Sequence, residues 1–309
     1  MKPGVVITGI SGNLGRTLTR LLHGRERIIG IDRRPFPGRP PDVEMHELDL
    51  RKKKVEDLFR RENIRAVIHM GILHDPRMSA AEHHSFNVVG TSRILEFAAK
   101  YGVKKVVVLS SANVYGPSPD NSNFITEEAP LMAASRFAGV RDLIELDMLA
   151  HAFIWRHPET RTVILRPVHI VGPHIKNAPS NYLRLRRPMS LAGFDPLVQL
   201  IHVEDAARAL VEALRPEARG VYNVVGPGVI PLSALFRELG QRPLPIPHPL
   251  ARPLLSRLFR YRLAHFPAEE LDHIQYLCIV DGTRWEQEVG WKPRHGMRET
   301  VRSVLDEGP

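Results

Sequence analysis

The sequence predicts an α/β fold: a doubly wound parallel sheet followed by a smaller α+β lobe. Three observations carry that expectation. A short β-branched run, Val5-Val6-Ile7, leads into glycines at every third position (Gly9, Gly12, Gly15) and then into a helical pattern from Arg16. Later strands, such as Val106-Val107-Val108-Leu109, are apolar throughout, as suits a strand covered on both faces. Helical periods fall between them, and such alternation calls for parallel pairing through right-handed crossovers.

In chain order, the first strand is Val5–Thr8 and the first helix Arg16–Leu22. The turn between them needs glycine for two reasons. The chain must pass sharply from strand to helix, and a pyrophosphate can then rest on bare backbone N–H groups at the helix N-terminus. Asn13 and Leu14 lie in the same turn. The second strand, Ile28–Asp32, ends on a carboxylate 17 residues beyond Gly15, about where an acid meets the 2′-hydroxyl of an adenosine ribose. A turn rich in proline follows. Next come strand Met45–Leu48 with Asp49-Leu50 at its end, helix Val55–Arg61, strand Ala66–Met70 and a helical pattern over Asn87–Lys100. Strand Val106–Leu109, helix Gly139–Phe153 and strand Thr162–Leu165 complete the alternation. Beyond Arg166-Pro167 prolines and glycines recur and strands shorten. The expected division is a dinucleotide-binding domain over 1–166 and mainly a substrate lobe over 167–309. Segments near 199–225 (Gln199–Val203, Ala206–Leu214, Val221–Val225) are expected to return to the main sheet.

At 309 residues and 43% apolar content, the chain can bury one large core or two coupled ones. Its single cysteine, Cys278, leaves no internal disulfide and no cysteine-cluster zinc site, which suits a reducing cytoplasm. The first strand begins at once, and no apolar run nears the ~20 residues of a membrane span, so neither signal peptide nor span is expected. The net charge of +9 is carried mostly by arginine, since only nine of the 43 basic residues are lysine. Such a surface favours anionic ligands. No helix-turn-helix, zinc finger or RNA-recognition signature is present, so nucleic acid is not an expected partner.

Taken together, these pieces resemble an extended short-chain dehydrogenase/reductase of the NAD-dependent epimerase/dehydratase family, with its Rossmann-type sheet. The matching segments are TGISGNLG (8–15), ID (31–32), DL (49–50), VIHMG (67–71) and NVVGTSRILEFAAKYGVKKVVVLSSANVYGP (87–117). LRPVHIVGP (165–173), IHVED (201–205), YNVVG (222–226) and VGWKP (289–293) extend the likeness over nearly the whole chain. The resemblance implies NAD as cofactor and a small-molecule substrate. It implies that Gly9, Gly12, Asn13, Leu14 and Gly15 face the pyrophosphate, Asp32 the adenosine ribose, and Asp49 with Leu50 the adenine. Met70 and Gly71 take the place of the family's apolar-Ala pair beside the ribose, and Asn87 holds the adjoining helix and strand near the cofactor. Leu109, Ser110, Pro167 and Val168 fall at the nicotinamide end, and Ser111 occupies the catalytic Ser/Thr position.

The likeness breaks where the family's chemistry is carried. Its members place a tyrosine, the acid/base, and a lysine four residues on, one helical turn apart on one face. The aligned positions here read Phe137-Ala138-Gly139-Val140-Arg141. Phenylalanine has no ionisable proton; Arg141 stays charged and can still hydrogen-bond a ribose, but it is no interchangeable amine. His74, after the fourth strand, is the candidate replacement proton carrier, with Tyr115 a lesser one. Tyr101 and Lys105 share the Tyr-x-x-x-Lys spacing but precede the fifth strand and read as a coincidence. A catalytically silent dinucleotide sensor is therefore the alternative to an altered enzyme. On the substrate side, sugar-nucleotide epimerases carry an arginine just before the strand written here Gln199–His202, and this chain has Leu197-Val198. A nucleotide-diphosphate sugar is therefore not the expected substrate. Arg184, Arg186 and Arg187 are the candidates for another anion site, against an ordinary solvated face.

Three further features are open to two readings. Arg33 and Arg34 could clasp a 2′-phosphate and make NADP the cofactor, but Asp32 would repel that phosphate, which favours NAD. His69, His74, His83 and His84 cluster in sequence, yet His69 sits in a buried strand and His83 and His84 should point to different helix faces, so no metal is expected. The segment 250–263 pairs Leu254, Leu255, Leu258 and Phe259 with four arginines. Core packing is the favoured reading and contact with a membrane surface the alternative. Family members often dimerise through helices after the fourth and fifth strands. A homodimer through 87–100 and 139–153, with Leu143, Ile144, Leu146 and Met148 at its interface, is the corresponding expectation.

Overall fold

A computed structural model describes residues 2–73, 78–133, 138–262 and 268–306. Six strands follow one another through the first half: β1 (Gly4–Thr8), β2 (Arg27–Asp32), β3 (Val43–Glu47), β4 (Ile64–His69), β5 (Lys105–Leu109) and β6 (Arg161–Pro167). After four short strands, β7 (His169–Val171), β8 (Met189–Leu191), β9 (Leu197–Val198) and β10 (Leu200–His202), the chain returns with β11 (Gly220–Val224). The main sheet has seven strands in the order β11-β6-β5-β4-β1-β2-β3, and every pairing in it is parallel.

The apolar strands divide their side chains between the two faces, as a period of two requires. Val5, Ile7, Ile28, Ile68 and Val107 join one core cluster, and Val6, Ile29, Val67, Val106 and Val108 join the other. Helices α1 (Asn13–Leu22), α2 (Lys53–Arg61), α3 (Ala80–His84), α4 (Gly90–Lys100) and α5 (Ala138–Arg156) supply the crossovers. The predicted helix over 87–100 is not uniform. Ser85–Val89 forms a π-turn ahead of α4, and Asn87 sits in it, 1% exposed. Such π-turns recur at functional positions because they re-aim one side chain.

The return of 199–225 differs from expectation. Only β11 joins the main sheet; β10 pairs with β7 in a separate two-stranded sheet. The helix that follows, α7 (Val203–Glu212), packs on α1, so the segment returns to the first domain through this helix and through β11. The lobe is completed by α6 (Ala178–Leu183), β12 (Ile230–Pro231), α8 (Leu232–Glu238), β13 (Leu244–Ile246), α9 (His248–Arg260) and a 3-10 turn at Ala268–Ile274.

Helical phase corrects the expected dimer face. Ile144 and Leu146 are 6% and 0% exposed and face the core, and Leu143 packs against it, while Met148 and Trp155 are 60% and 77% exposed. On α9, Ala251 and Leu255 are buried while Leu250 and Leu254 remain exposed. No helix among the described residues is long and apolar enough to cross a membrane.

Candidate active site

A long cleft of about 1150 Å³ opens at the carboxyl ends of β1 and β4, where the strand order reverses. Crevices at such a reversal point are where open α/β sheets bind ligands. The glycine turn forms one wall. Gly9 has φ +75°, and a Cβ on it would lie 2.8 Å from the Met70 carbonyl oxygen. A Cβ on Gly15 would lie 2.5 Å from the Gly9 carbonyl oxygen. The first glycine thus lets the β1 and β4 loops touch, and the third lets α1 start against the turn. Gly12, Asn13, Leu14 and Gly71 also line the cleft. The Asn13 amide donates to the His174 carbonyl, tying the turn to the 173–177 segment of the opposite wall.

Asp32 is 9% exposed and anchors the far end. Its carboxylate accepts the Ser11 N–H at 3.1 Å and the Arg34 N–H at 3.0 Å, and the Arg34 side chain reaches it at 3.3 Å. Arg33 instead stacks over the Phe86 ring at 4.5 Å and lines the cleft. Leu50 lines it too, whereas the Asp49 carboxylate is taken by Arg51 in a bidentate pair at 2.6 and 2.9 Å. The Arg51 guanidinium, hydrogen-bonded to Asp49, holds that carboxyl below its ordinary range. Asn87 clamps the β4 loop, its amide accepting the Leu73 N–H and donating to the Leu73 carbonyl, both at 2.8 Å.

A second cavity of about 350 Å³ adjoins the cleft, sharing Met70, Ile72, Leu73, Leu109 and Asn177 as wall residues. Ser110, Ser111 and Asn113 after β5, and Pro167, Val168 and His169 after β6, form its wall at the sheet edge. Val140 and Leu143 of α5, Tyr182 and Leu183 of α6, Val198 and Leu200, Leu232 and Leu235 of α8, and His273 with Ile274 of the 3-10 turn are among the others. The Ser111 hydroxyl accepts the Asn113 N–H at 3.1 Å, which fixes its rotamer and leaves its own proton for a further acceptor.

Beneath Ser111 lies a buried polar network that the sequence did not announce. Ser110 donates to Asp147 at 2.6 Å, and Asp147 (0% exposed) takes the Arg166 guanidinium at 2.6 and 2.9 Å. Arg166 also donates to the Tyr115 hydroxyl, which donates to Asn223, each at 2.8 Å. Burial opposes the Arg166 charge, but Asp147 more than offsets it and raises the pKa. Burial pushes Tyr115 up to about 12. Tyr115 is thus an anchor of β5, β6 and β11, not a proton carrier facing either cavity.

Other candidates are placed elsewhere. Arg141 is exposed and lines neither cavity. His74 and Phe137 lie outside the described residues. Tyr101 donates to Glu56 and the Lys105 ammonium to the Arg215 and Ala218 carbonyls, so that pair shares no site. The Arg184 guanidinium is spent on the carbonyls of Val304, Ile175 and Gly172, while Arg186 and Arg187 are exposed. His69 is wedged between Thr8 and Thr91, and burial lowers it to about 4. His83 and His84 do not diverge as expected: both reach Asp142, at 2.6 and 3.2 Å, because Asp142 projects from α5 between them. His84, Asp142 and Glu145 could offer ligand atoms together, as could His202, Glu204 and His295. The His202 and His295 imidazoles stack at 3.8 Å and 26°.

The model of the NAD dependent epimerase/dehydratase family matches residues 5–225. The chain belongs to this family. An uncharacterized protein of Mycobacterium tuberculosis is 26% identical over 300 residues, covering 94% of this chain and 80% of the relative. UDP-glucose 4-epimerase of Bacillus subtilis is 24% identical over 342 residues, covering 96% of this chain and 94% of that enzyme. Among solved structures, MoeE5 in complex with UDP-glucose and NAD superposes with a TM-score of 0.76 at 23% identity, covering 97% of each chain.

Proposed function

We propose that this chain binds NAD in the glycine-rich cleft and exchanges a hydride with a small non-nucleotide substrate in the adjoining cavity, with acid/base residues unlike those of its family. The observation that carries this is the shared wall: Met70 and Leu109 border both cavities, and Ser111 borders the second. A protein that only sensed the dinucleotide would need no second cavity there. In this reading the glycine turn and the N-terminus of α1 hold the pyrophosphate, and Asp32 takes ribose hydroxyls and disfavours a 2′-phosphate, which supports NAD over NADP. Bound nicotinamide supplies or accepts the hydride. Ser111 donates a hydrogen bond to the substrate oxygen, and His74 is the proposed proton carrier in place of the missing tyrosine. NAD is also what MoeE5 binds in the structure with UDP-glucose.

The test is absorbance of the reduced nicotinamide across a panel of secondary alcohols and ketones, with Ser111→Ala and His74→Ala alongside. Turnover that falls at least tenfold in both variants supports the reading. Tight NAD binding without turnover favours the silent sensor, a reading motivated by Phe137 and by the exposed Arg141. A homodimer is proposed through the exposed Met148 and Trp155 of α5; a monomeric mass by sedimentation would contradict it.

A further inference from the structure

We infer that the second cavity takes a neutral, largely hydrocarbon molecule with one oxygen function at its sheet-edge end. The inference rests on the proposed hydride-exchange reading for the ligand's orientation, and on the cavity's walls for its chemistry. No lysine, arginine, aspartate or glutamate is among its described wall residues. A diphosphate buried there would lose its hydration with no lysine or arginine among the described walls to replace it, at a cost of several kcal/mol per charge. The cations that might have served are committed elsewhere. Arg184 donates to three carbonyls, and Arg186 and Arg187 are exposed and absent from the walls. Val198, one of the two residues before β10, is itself part of the wall.

Most of the cavity's polar groups gather at its sheet-edge end, with Asn177 and His273 the exceptions. Ser111, Asn113 and His169 lie on the segments that leave β5 and β6, beside the cleft. The opposite side is aliphatic except for His273, whose ring meets His169 edge-on at 5.8 Å: Leu232 and Leu235 of α8, Leu200 of β10 and Ile274 make up the remainder. Tyr182 adds no free hydroxyl, because it donates to the Met189 carbonyl at 2.5 Å. A ligand matching this pattern carries its oxygen toward Ser111 and a hydrocarbon body toward α8, where burial yields about 25 cal/mol per Å². At about 350 Å³ the cavity is at the small end of small-molecule sites, so a body of two or three fused rings or a short branched chain fills it.

The neutral naphthyl ketone Prodan, whose emission shifts to the blue in apolar surroundings, is a suitable probe. Full-length protein is titrated with Prodan, with and without saturating NAD, and NAD binding is followed separately by calorimetry. The expected result is saturable, blue-shifted binding that excess UDP-glucose does not displace. Val198→Arg, which puts a cation in the wall, and Ala178→Trp, which fills space there, should each weaken it at least tenfold while NAD binding is unchanged. Absence of saturable binding, displacement by UDP-glucose, or binding indifferent to both substitutions would each overturn the inference. Silence in the NAD calorimetry would instead remove the functional reading, and the Prodan arm would still decide the nature of the cavity.

Discussion

The cleft and the neighbouring cavity share five wall residues yet solve opposite problems. The cleft offers bare amides, the Asp32 carboxylate, and Arg16, Arg20, Arg33, Arg34 and Lys176 along its walls. The cavity beside it offers mostly aliphatic surface with a few polar groups, His169 and His273 among them. The cleft is assembled from the loops of adjacent parallel strands, so its geometry follows from the sheet. The cavity is assembled from eight segments spread from Met70 to Ile274, and more than half of its wall comes from the lobe. A family can therefore keep its cofactor side and rebuild its substrate side, because the two depend on different parts of the chain.

The largest effect should come from the network on which both regions rest. Arg166→Met leaves Asp147 buried without its partner, and breaking a buried ion pair from one side costs about 3–5 kcal/mol. Urea unfolding should show that loss, and both NAD and Prodan binding should weaken together. A loss confined to one ligand would show that β5 and β6 do not hold the two regions jointly.

Gly15→Ala separates them. Its new Cβ would press on the Gly9 and Ile10 carbonyls, so the turn must open and the amides lose their common aim. We expect roughly a hundredfold loss of NAD affinity, about 2.7 kcal/mol, with Prodan binding little changed. Calorimetry and fluorescence on one preparation check both. Asp32→Ala is the milder version. It removes a hydrogen-bond acceptor for the ribose, costs roughly tenfold in NAD affinity and narrows the preference for NAD over NADP.

How much of this was legible in the sequence follows the same division. Glycine spacing, the Asp32 carboxylate and apolar strands are local patterns with a local cause, and the main sheet and cleft could be read from them. Asp147 carries no such mark; one acid on an otherwise ordinary helix becomes a network centre only because Arg166 and Ser110 lie across from it in space. Val198 stands in the sequence only as a missing arginine; that it walls a cavity together with residues of α6 and α8 shows only in space. The π-turn at Ser85–Val89 leaves no signature in the sequence, because one five-residue turn is too short to displace the apolar period that α4 sets. Leu143, Ile144 and Leu146 were misread as an interface because apolar residues at helical spacing mark a buried face without saying what buries it.

The smallest effect tests the floor of the cleft. His69 sits at the end of β4 with Thr8 and Thr91 on its two nitrogens and no carboxylate partner among the described residues. Burial alone lowers it from 6.5 to about 4, so the folded protein holds it neutral while the unfolded chain takes up a proton near pH 6.5. The unfolded state therefore binds more protons between those values, and stability must fall as pH drops through that window. The share lost between pH 7.5 and 6 is about 1 kcal/mol, seen as a lower urea midpoint. His69→Gln, which keeps hydrogen bonding to the threonines but cannot titrate there, should lose stability overall yet lack this component of the pH slope. If wild type and variant lose the same amount over that interval, His69 is not held neutral, and the β4 end of the cleft is wetter than its packing implies.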